Sequence, residues 1–206
     1  MLTGKESNFR IILASGSPRR QQLLEETGLQ FETVIKEYDE TFPDGLNGEE
    51  TAMHVAHRKA MCFRDRISDG EIVITADTVV WCNGRILAKP VDRSDALAML
   101  REISGNTHEV ITGVSVLTSS GEITFSETTK VYFEEMSDME ISYYTDNYKP
   151  YDKAGAYGIQ EWIGLIACSR IEGSYFNVVG LPVHRLYREL QAIMNKNDRL
   201  NPGNES

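Results

Sequence analysis

Residues 72–81 read Ile72-Val73-Ile74-Thr75-Ala76-Asp77-Thr78-Val79-Val80-Trp81, and how this stretch folds decides the architecture. Its apolar, β-branched composition predicts a strand. Asn83-Gly84 just beyond it is a hairpin-turn signal, and the chain returns through Ile86-Leu87. Toward the N-terminus, 9–14 predicts a short buried strand and 19–28 a helix, with Ser17 as its N-cap and Pro18 at its first position. A second strand over 31–35 leads through an acidic loop into a helix over 49–67. Toward the C-terminus, a helix begins at Asp92 and runs to Ile103. Residues 108–117 and 123–133 then form a long antiparallel pair around Ser119-Ser120-Gly121. Ser137-Asp138-Met139-Glu140 is a capping box opening a helix toward Asn147. Strands are expected over 164–170 and 175–179, and a last amphipathic helix over 182–194. Hairpins mixed with helical crossovers imply an α/β (mixed α+β) fold: a long mixed β-sheet flanked by helices, in two lobes with a central cleft. Residues 1–195 read as one domain and 196–206 as a polar tail.

Composition narrows the partners. Of the 206 residues, 41% are hydrophobic and 25% charged, which excludes a disordered or collagen-like chain. Lysine and arginine total 21 against 31 acidic residues, a formal charge of −10. A nucleic-acid binder or an anionic-membrane binder needs a broad basic face, so neither partner is expected. A phosphate-bearing ligand must instead meet a few cations gathered in one place. Cys62, Cys82 and Cys168 are widely spaced and form no C-x-x-C pair, which suits a reducing compartment. The apolar run at 11–14 is too short for a signal peptide or a spanning helix, so a cytoplasmic location is expected.

Four segments carry chemistry. Ser15-Gly16-Ser17-Pro18-Arg19-Arg20 lies where a strand passes into a helix, so backbone N–H groups and the positive helix end point to one spot. Ser15 and Ser17 add hydroxyls, and Arg19 and Arg20 add forks suited to phosphate oxygens. The same pattern also describes an ordinary capped helix with exposed arginines. It is not a P-loop. Asp77 places an acid inside an apolar strand, at a cost of several kcal/mol if charged and unpaired. It reads as a metal ligand, a general base or half of a buried ion pair, with a surface bulge as the alternative. Lys89 beside Pro90, and Lys153 beside Gly155, place cations next to backbone that a ligand can approach closely. Gln160 offers a two-way amide to a base edge. His54 and His57 lie a helical turn apart with no third metal ligand evident. Tyr143, Tyr144 and Tyr148 read as a helix face, and Ser15 has no triad partners in the sequence.

In order, these segments resemble the Maf (septum-formation) family of nucleoside triphosphate pyrophosphatases. The matching pieces are residues 13–20, Ala76-Asp77-Thr78-Val79-Val80, Lys89-Pro90, 103–113, 152–160 and Val178-Val179-Gly180-Leu181-Pro182. They span nearly the whole chain. The resemblance implies a fold similar to inosine triphosphate pyrophosphatases and commonly a homodimer. It also implies hydrolysis of a nucleoside triphosphate to the monophosphate plus pyrophosphate with a divalent metal, Mg²⁺ or Mn²⁺. Within the family the sequence is similar to the branch acting on dTTP and UTP, and modified pyrimidine nucleotides belong to the same substrate class. That branch pattern implies Asp77 as proton acceptor and Arg19, Thr78 and Gln160 as specificity positions. Ser15, Ser17, Arg20, Lys59, Lys89 and Lys153 are then the phosphate-binding set, and Asp77 with Glu40 the metal ligands. Thr75 departs from the family's frequent glycine but leaves the acid intact. A nucleotide-binding regulator of septum formation with little catalysis is the alternative that the family's name suggests.

Overall fold

In the computed structural model, which describes residues 9–36, 38 and 41–200, the decisive stretch is the centre of one mixed seven-stranded sheet. β1 (Arg10–Leu13) leads into α1 (Pro18–Glu25), β2 (Glu32–Thr33) and α2 (Gly48–Met61). β3 (Glu71–Cys82) and β4 (Arg85–Leu87) form the expected hairpin, with Asn83 at φ 50° and Gly84 at φ 78°. Both central residues sit in the left-handed region, as a tight hairpin turn of matching twist requires. α3 (Arg93–Ile103) is followed by the long pair β5 (Thr107–Thr118) and β6 (Gly121–Phe133), then α4 (Asp138–Tyr148). The chain ends through α5 (Trp162–Ala167), β7 (Cys168–Glu172), α6 (Tyr175–Val179) and α7 (Val183–Leu200).

The strand order is β2-β1-β3-β5-β6-β7, with β4 also on β3. β1 runs parallel to both β2 and β3, while β5, β6 and β7 continue antiparallel. β1 pairs with β3 only from Glu71 to Ile74, and β4 pairs with β3 only from Val80 to Cys82. Because β5 occupies the other edge of β3, β1 and β4 share one edge, and among the described residues no strand pairs with it between residues 75 and 79.

Side chains alternate between the two faces of β3, and one face carries two apolar clusters in succession. Ile72, Ile74 and Ala76 point to one face of β3, where Leu23 and Leu24 of α1 and Leu186 and Leu190 of α7 cover them. Val80 and Cys82 point to the same face further along, under Leu97 and Leu100 of α3 and Ile141 of α4. Between these two apolar clusters lies Thr78, opposite Thr112 of β5. The opposite face, with Val73, Thr75 and Val79, is covered by α2. That helix begins with a capping box built by Asn47 and Glu50, and it sits close enough for the Ala56 carbonyl to accept from Thr75 Oγ1 at 2.7 Å.

Three expectations change. Residues 162–167 are helical rather than part of a strand, because Gly164 donates its N–H to Glu161 and packs against the Ile159 carbonyl. A short apolar run fits a strand or a buried helical turn equally well, so periodicity does not separate them. Residues 175–179 also form a helix, capped by Ser174 and ended by Gly180 at φ 133°. The last helix continues past Met194 to Leu200. Residues 201–206 of the expected tail lie outside the described residues.

Gly113, directly opposite Asp77, packs against the backbone of α2. A Cβ there would lie 2.2 Å from the Ala52 carbonyl oxygen, so Gly113→Ala must push the helix away. Overpacking of this kind costs about 1–3 kcal/mol, or ~2–4 °C in Tm per kcal/mol for a chain of this size. Gly121→Ala, in open space at the β5–β6 turn, is expected to leave Tm nearly unchanged. Equal melting temperatures for the two variants would contradict the packing assigned to Gly113.

Candidate active site

The strandless edge of β3 opens into a cavity of about 310 Å³. Every site residue expected from the sequence lines it except Glu40, which lies outside the described residues. Since no described strand covers residues 75–79 on this side, groups from both faces reach the same space. Asp77 comes from the α2 face and Thr78 from the other.

The opening leaves backbone acceptors of β3 without a neighbouring strand, and a buried carbonyl needs a partner. Arg20 supplies one. Its Nη1 donates to the Ala76 carbonyl at 2.8 Å and to Ser15 Oγ at 3.4 Å, its Nε to the Gly180 carbonyl at 2.8 Å, and its Nη2 to Thr78 Oγ1 at 3.0 Å. A planar fork makes four hydrogen bonds and so joins three segments of the cavity wall, around Ser15, in β3 and at Gly180, which lysine cannot copy. The guanidinium expected on phosphate is therefore turned largely toward protein oxygens. Thr78 Oγ1 and Thr112 Oγ1 lie 2.9 Å apart, and Thr112 donates on to the Asn177 carbonyl at 3.2 Å. Asn177, fully buried, ties α6 to the sheet through the carbonyls of Val110 and Glu127.

Asp77 is half of an ion pair. Lys59 Nζ of α2 donates to Asp77 Oδ1 at 2.6 Å, lies 3.4 Å from the Ala76 carbonyl, and sits over the Tyr38 ring at 4.6 Å. Lys59 is 3% exposed, whereas the Asp77 side chain keeps 19% of its surface open. Of the alternatives that the sequence left open for Asp77, the ion pair is present, and the carboxylate also reaches the cavity.

The opposite wall is the segment after α4. Gly155 at φ 68° packs against Val80, where a Cβ would lie 2.9 Å from Cγ2, so the turn needs glycine. This turn presents Lys153 and Tyr157 to the cavity. Lys153 Nζ pairs with Asp152 Oδ1 at 2.8 Å and Glu161 Oε1 at 3.1 Å. Glu161 accepts from the Tyr144 hydroxyl, which itself accepts the Gly158 N–H at 3.0 Å. Burial first, and then this bond to a carboxylate, push the Tyr144 hydroxyl well up from its ordinary value. Across the mouth, Arg19 Nη1 donates to Asp152 Oδ2 at 3.0 Å. Lys89 and Gln160 are exposed at the rim. The cavity thus carries five cationic side chains, Arg19, Arg20, Lys59, Lys89 and Lys153, against the carboxylates of Asp77 and Asp152.

Sequence reasoning missed Asp152, Glu161, Tyr144 and Asn177. Asp152 and Glu161 stand inside or beside a segment already singled out, and the signal was a carboxylate adjoining a candidate phosphate lysine. Nothing in the sequence marks Tyr144 or Asn177, whose roles depend on distant segments. His57 pairs with Glu122 at 2.9 Å, away from the cavity. Among the described residues no three His, Cys, Asp or Glu side chains gather to hold an ion. No described helix is long and apolar enough to cross a membrane.

Beneath the cavity, His108 Nε2 lies 2.7 Å from the Tyr157 hydroxyl, and burial lowers the imidazole from 6.5 to about 4. Above pH ~6.5 His108 is neutral in both the folded and unfolded chain. As pH falls toward 4 only the unfolded chain takes up the proton, so stability declines through that window by up to about 3 kcal/mol. Urea midpoints between pH 7 and 4.5 are expected to fall further for the wild type than for His108→Gln, which keeps a partner for Tyr157. Parallel pH profiles would contradict a neutral buried His108.

A family model described as Maf-like protein matches residues 10–193. A Bacteroides fragilis protein named dTTP/UTP pyrophosphatase is 49% identical over 188 residues, covering 90% of this chain and 96% of that one. A relative of the same name from Phocaeicola vulgatus is 50% identical over 186 residues, with coverage of 90% and 96%. Another from Flavobacterium johnsoniae is 45% identical over 194 residues, with coverage of 94% and 100%. Among solved structures, a nucleoside-triphosphatase (dITP/XTP pyrophosphatase) from Mycobacterium abscessus aligns over 94% of this chain and 98% of its own. Its identity is 15% and its TM-score 0.41.

Proposed function

The chain belongs to the Maf family, and from that premise we propose that it hydrolyses dTTP and UTP, and modified pyrimidine nucleotides of the same class, to the monophosphate plus pyrophosphate. The observation that carries this reading is the gathering of five cations and an acid in one cavity of a protein with formal charge −10. A triphosphate needs that local reversal of sign, and cleaving it needs an acceptor for the proton of the attacking water.

The geometry supports the following roles. Lys153, Lys89 and Arg19 meet phosphate oxygens near the mouth, and Ser15 and Ser17 add hydroxyl donors beside the N-terminus of α1. Arg20 frames the wall. Lys59 holds Asp77 in one orientation at 2.6 Å, and Asp77 accepts the proton of the water as it attacks phosphorus. Attack breaks one phosphoanhydride bond and leaves the nucleoside monophosphate and pyrophosphate. Gln160 at the rim pairs its carboxamide with the pyrimidine edge, where a carbonyl acceptor and an N–H donor stand side by side. Thr78 and Arg19 complete the specificity positions.

A divalent ion fits this donor set through a single carboxylate oxygen of the described residues. Asp77 Oδ1 is taken by Lys59, and Oδ2 carries no hydrogen bond among the described residues. One carboxylate oxygen, with water and substrate phosphate for the rest, is coordination that Mg²⁺ accepts. When bound, Mg²⁺ or Mn²⁺ supplies neutralisation of charge on the phosphate oxygens.

Pyrophosphate release from a nucleotide panel tests the reading. Turnover of dTTP and UTP with Mg²⁺ or Mn²⁺ is expected, with little from 7-methylguanosine triphosphate; the reverse preference would contradict it. Asp77→Asn is expected to lower kcat by about 10²–10⁴ while nucleotide binding persists. A variant with undiminished kcat would remove Asp77 from the chemistry. Gln160→Ala is expected to narrow the ratio of kcat/KM between pyrimidine and purine triphosphates, and an unchanged ratio would remove Gln160 from base recognition.

A further inference from the structure

Asp152 joins the two walls of the cavity. Arg19 comes from the first turn of α1 and Lys153 from the segment after α4, and one carboxylate bridges them. Asp152 Oδ2 accepts from Arg19 Nη1 at 3.0 Å, and Oδ1 accepts from Lys153 Nζ at 2.8 Å. Two oxygens splayed from one centre, each on a different cation, is how a phosphate group would engage the same pair.

The two ends of the bridge are not equally fixed. Lys153 is gripped from behind by Glu161 at 3.1 Å, and Glu161 is anchored by Tyr144, so the ammonium keeps its place without Asp152. Arg19 makes no other hydrogen bond or ion pair among the described residues. The Asp152 side chain is 61% exposed, so water is at hand to solvate its carboxylate when a ligand takes its place. Burial works to raise its carboxyl, but Lys153 and Arg19 outweigh that and hold it below the ordinary value, so it carries a full charge at neutral pH.

We infer that Asp152 is a specificity-determining residue: an internal stand-in for phosphate that occupies Arg19 and Lys153 until a polyphosphate displaces it. This rests on the reading of the cavity as a triphosphate site. A ligand must break two ion pairs to use these cations, and only a group of high negative charge density repays that. After cleavage the carboxylate reclaims both cations and helps expel pyrophosphate.

Calorimetric titration of the full chain with inorganic pyrophosphate, in metal-free buffer, tests this. Asp152→Asn keeps the shape and removes the charge, and is expected to bind pyrophosphate about 3- to 30-fold more tightly, as removal of a short-range competing charge implies. Pyrophosphate should also become a stronger product inhibitor of UTP hydrolysis. Asp146→Asn changes the net charge equally at an exposed α4 residue paired with Arg93, and its affinity should stay near that of the wild type. If Asp152 merely positioned Arg19 and Lys153, Asp152→Asn would bind more weakly. Wild-type binding with equal or weaker binding by Asp152→Asn overturns the inference alone. An equal gain in Asp146→Asn also overturns it, as a general charge effect. No pyrophosphate binding by any of the three overturns both the inference and the triphosphate reading.

Discussion

Between Ile74 and Val80 one edge of β3 has no described strand beside it, and the backbone acceptors on that edge still need partners. β1 stops at Leu13 and β4 begins to pair only at Val80. The sheet could have closed the interval with another strand. Instead the chain leaves β1 through Ser15-Gly16-Ser17-Pro18 and sends the Arg20 side chain back to the Ala76 carbonyl. That one side chain also holds Gly180 and Thr78, so the start of α1, the middle of β3 and the end of α6 are fixed together. A cavity inside the sheet follows, reachable by residues of both faces. The gap lets Asp77, which belongs to the α2 side, share a space with Thr78, which belongs to the other.

Charge in this space is arranged in pairs. Lys59 is buried against Asp77, Lys153 against Glu161 and Asp152, and Arg19 reaches across to Asp152. Breaking a buried pair leaves an uncompensated ion, so Lys59 and Asp77 depend on one another. The pairs at the mouth are more exposed and each contributes less to stability, which leaves them open to exchange for a ligand's charge. The same arithmetic reconciles an acidic protein with a polyanionic substrate. The net charge of −10 is spread over the surface, while five of its 21 lysines and arginines line one cavity.

Local signals carried much of this into the sequence. Asn83-Gly84 marked its hairpin because two left-handed residues in succession are a local requirement, and Ser137 with Glu140 marked the start of α4 for the same reason. The long strands showed in their β-branched runs, and Asp77 stood out against an apolar background. What lay hidden was set by distant partners. Residues 175–179 look like a strand by propensity, yet Asn177 holds them as a helical turn through buried bonds to β5 and β6. Arg20 is indistinguishable from Arg19 in sequence. Their different duties come from carbonyls 56 and 160 positions away, those of Ala76 and Gly180. Tyr144 was a residue on a helix face until the fold placed Glu161 beside it.

Arg20 therefore gives the most direct test of the central claim, that the gap in the sheet is held open by its fork of hydrogen bonds. Arg20→Lys keeps the charge and removes the fork. Thermal unfolding of the ligand-free variant, with pyrophosphate titration alongside, separates framing from ligand binding. A loss of about 1–3 kcal/mol, or ~2–12 °C in Tm, is expected before any ligand is added. An unchanged Tm with weakened pyrophosphate binding would contradict it, and would return Arg20 to the phosphate.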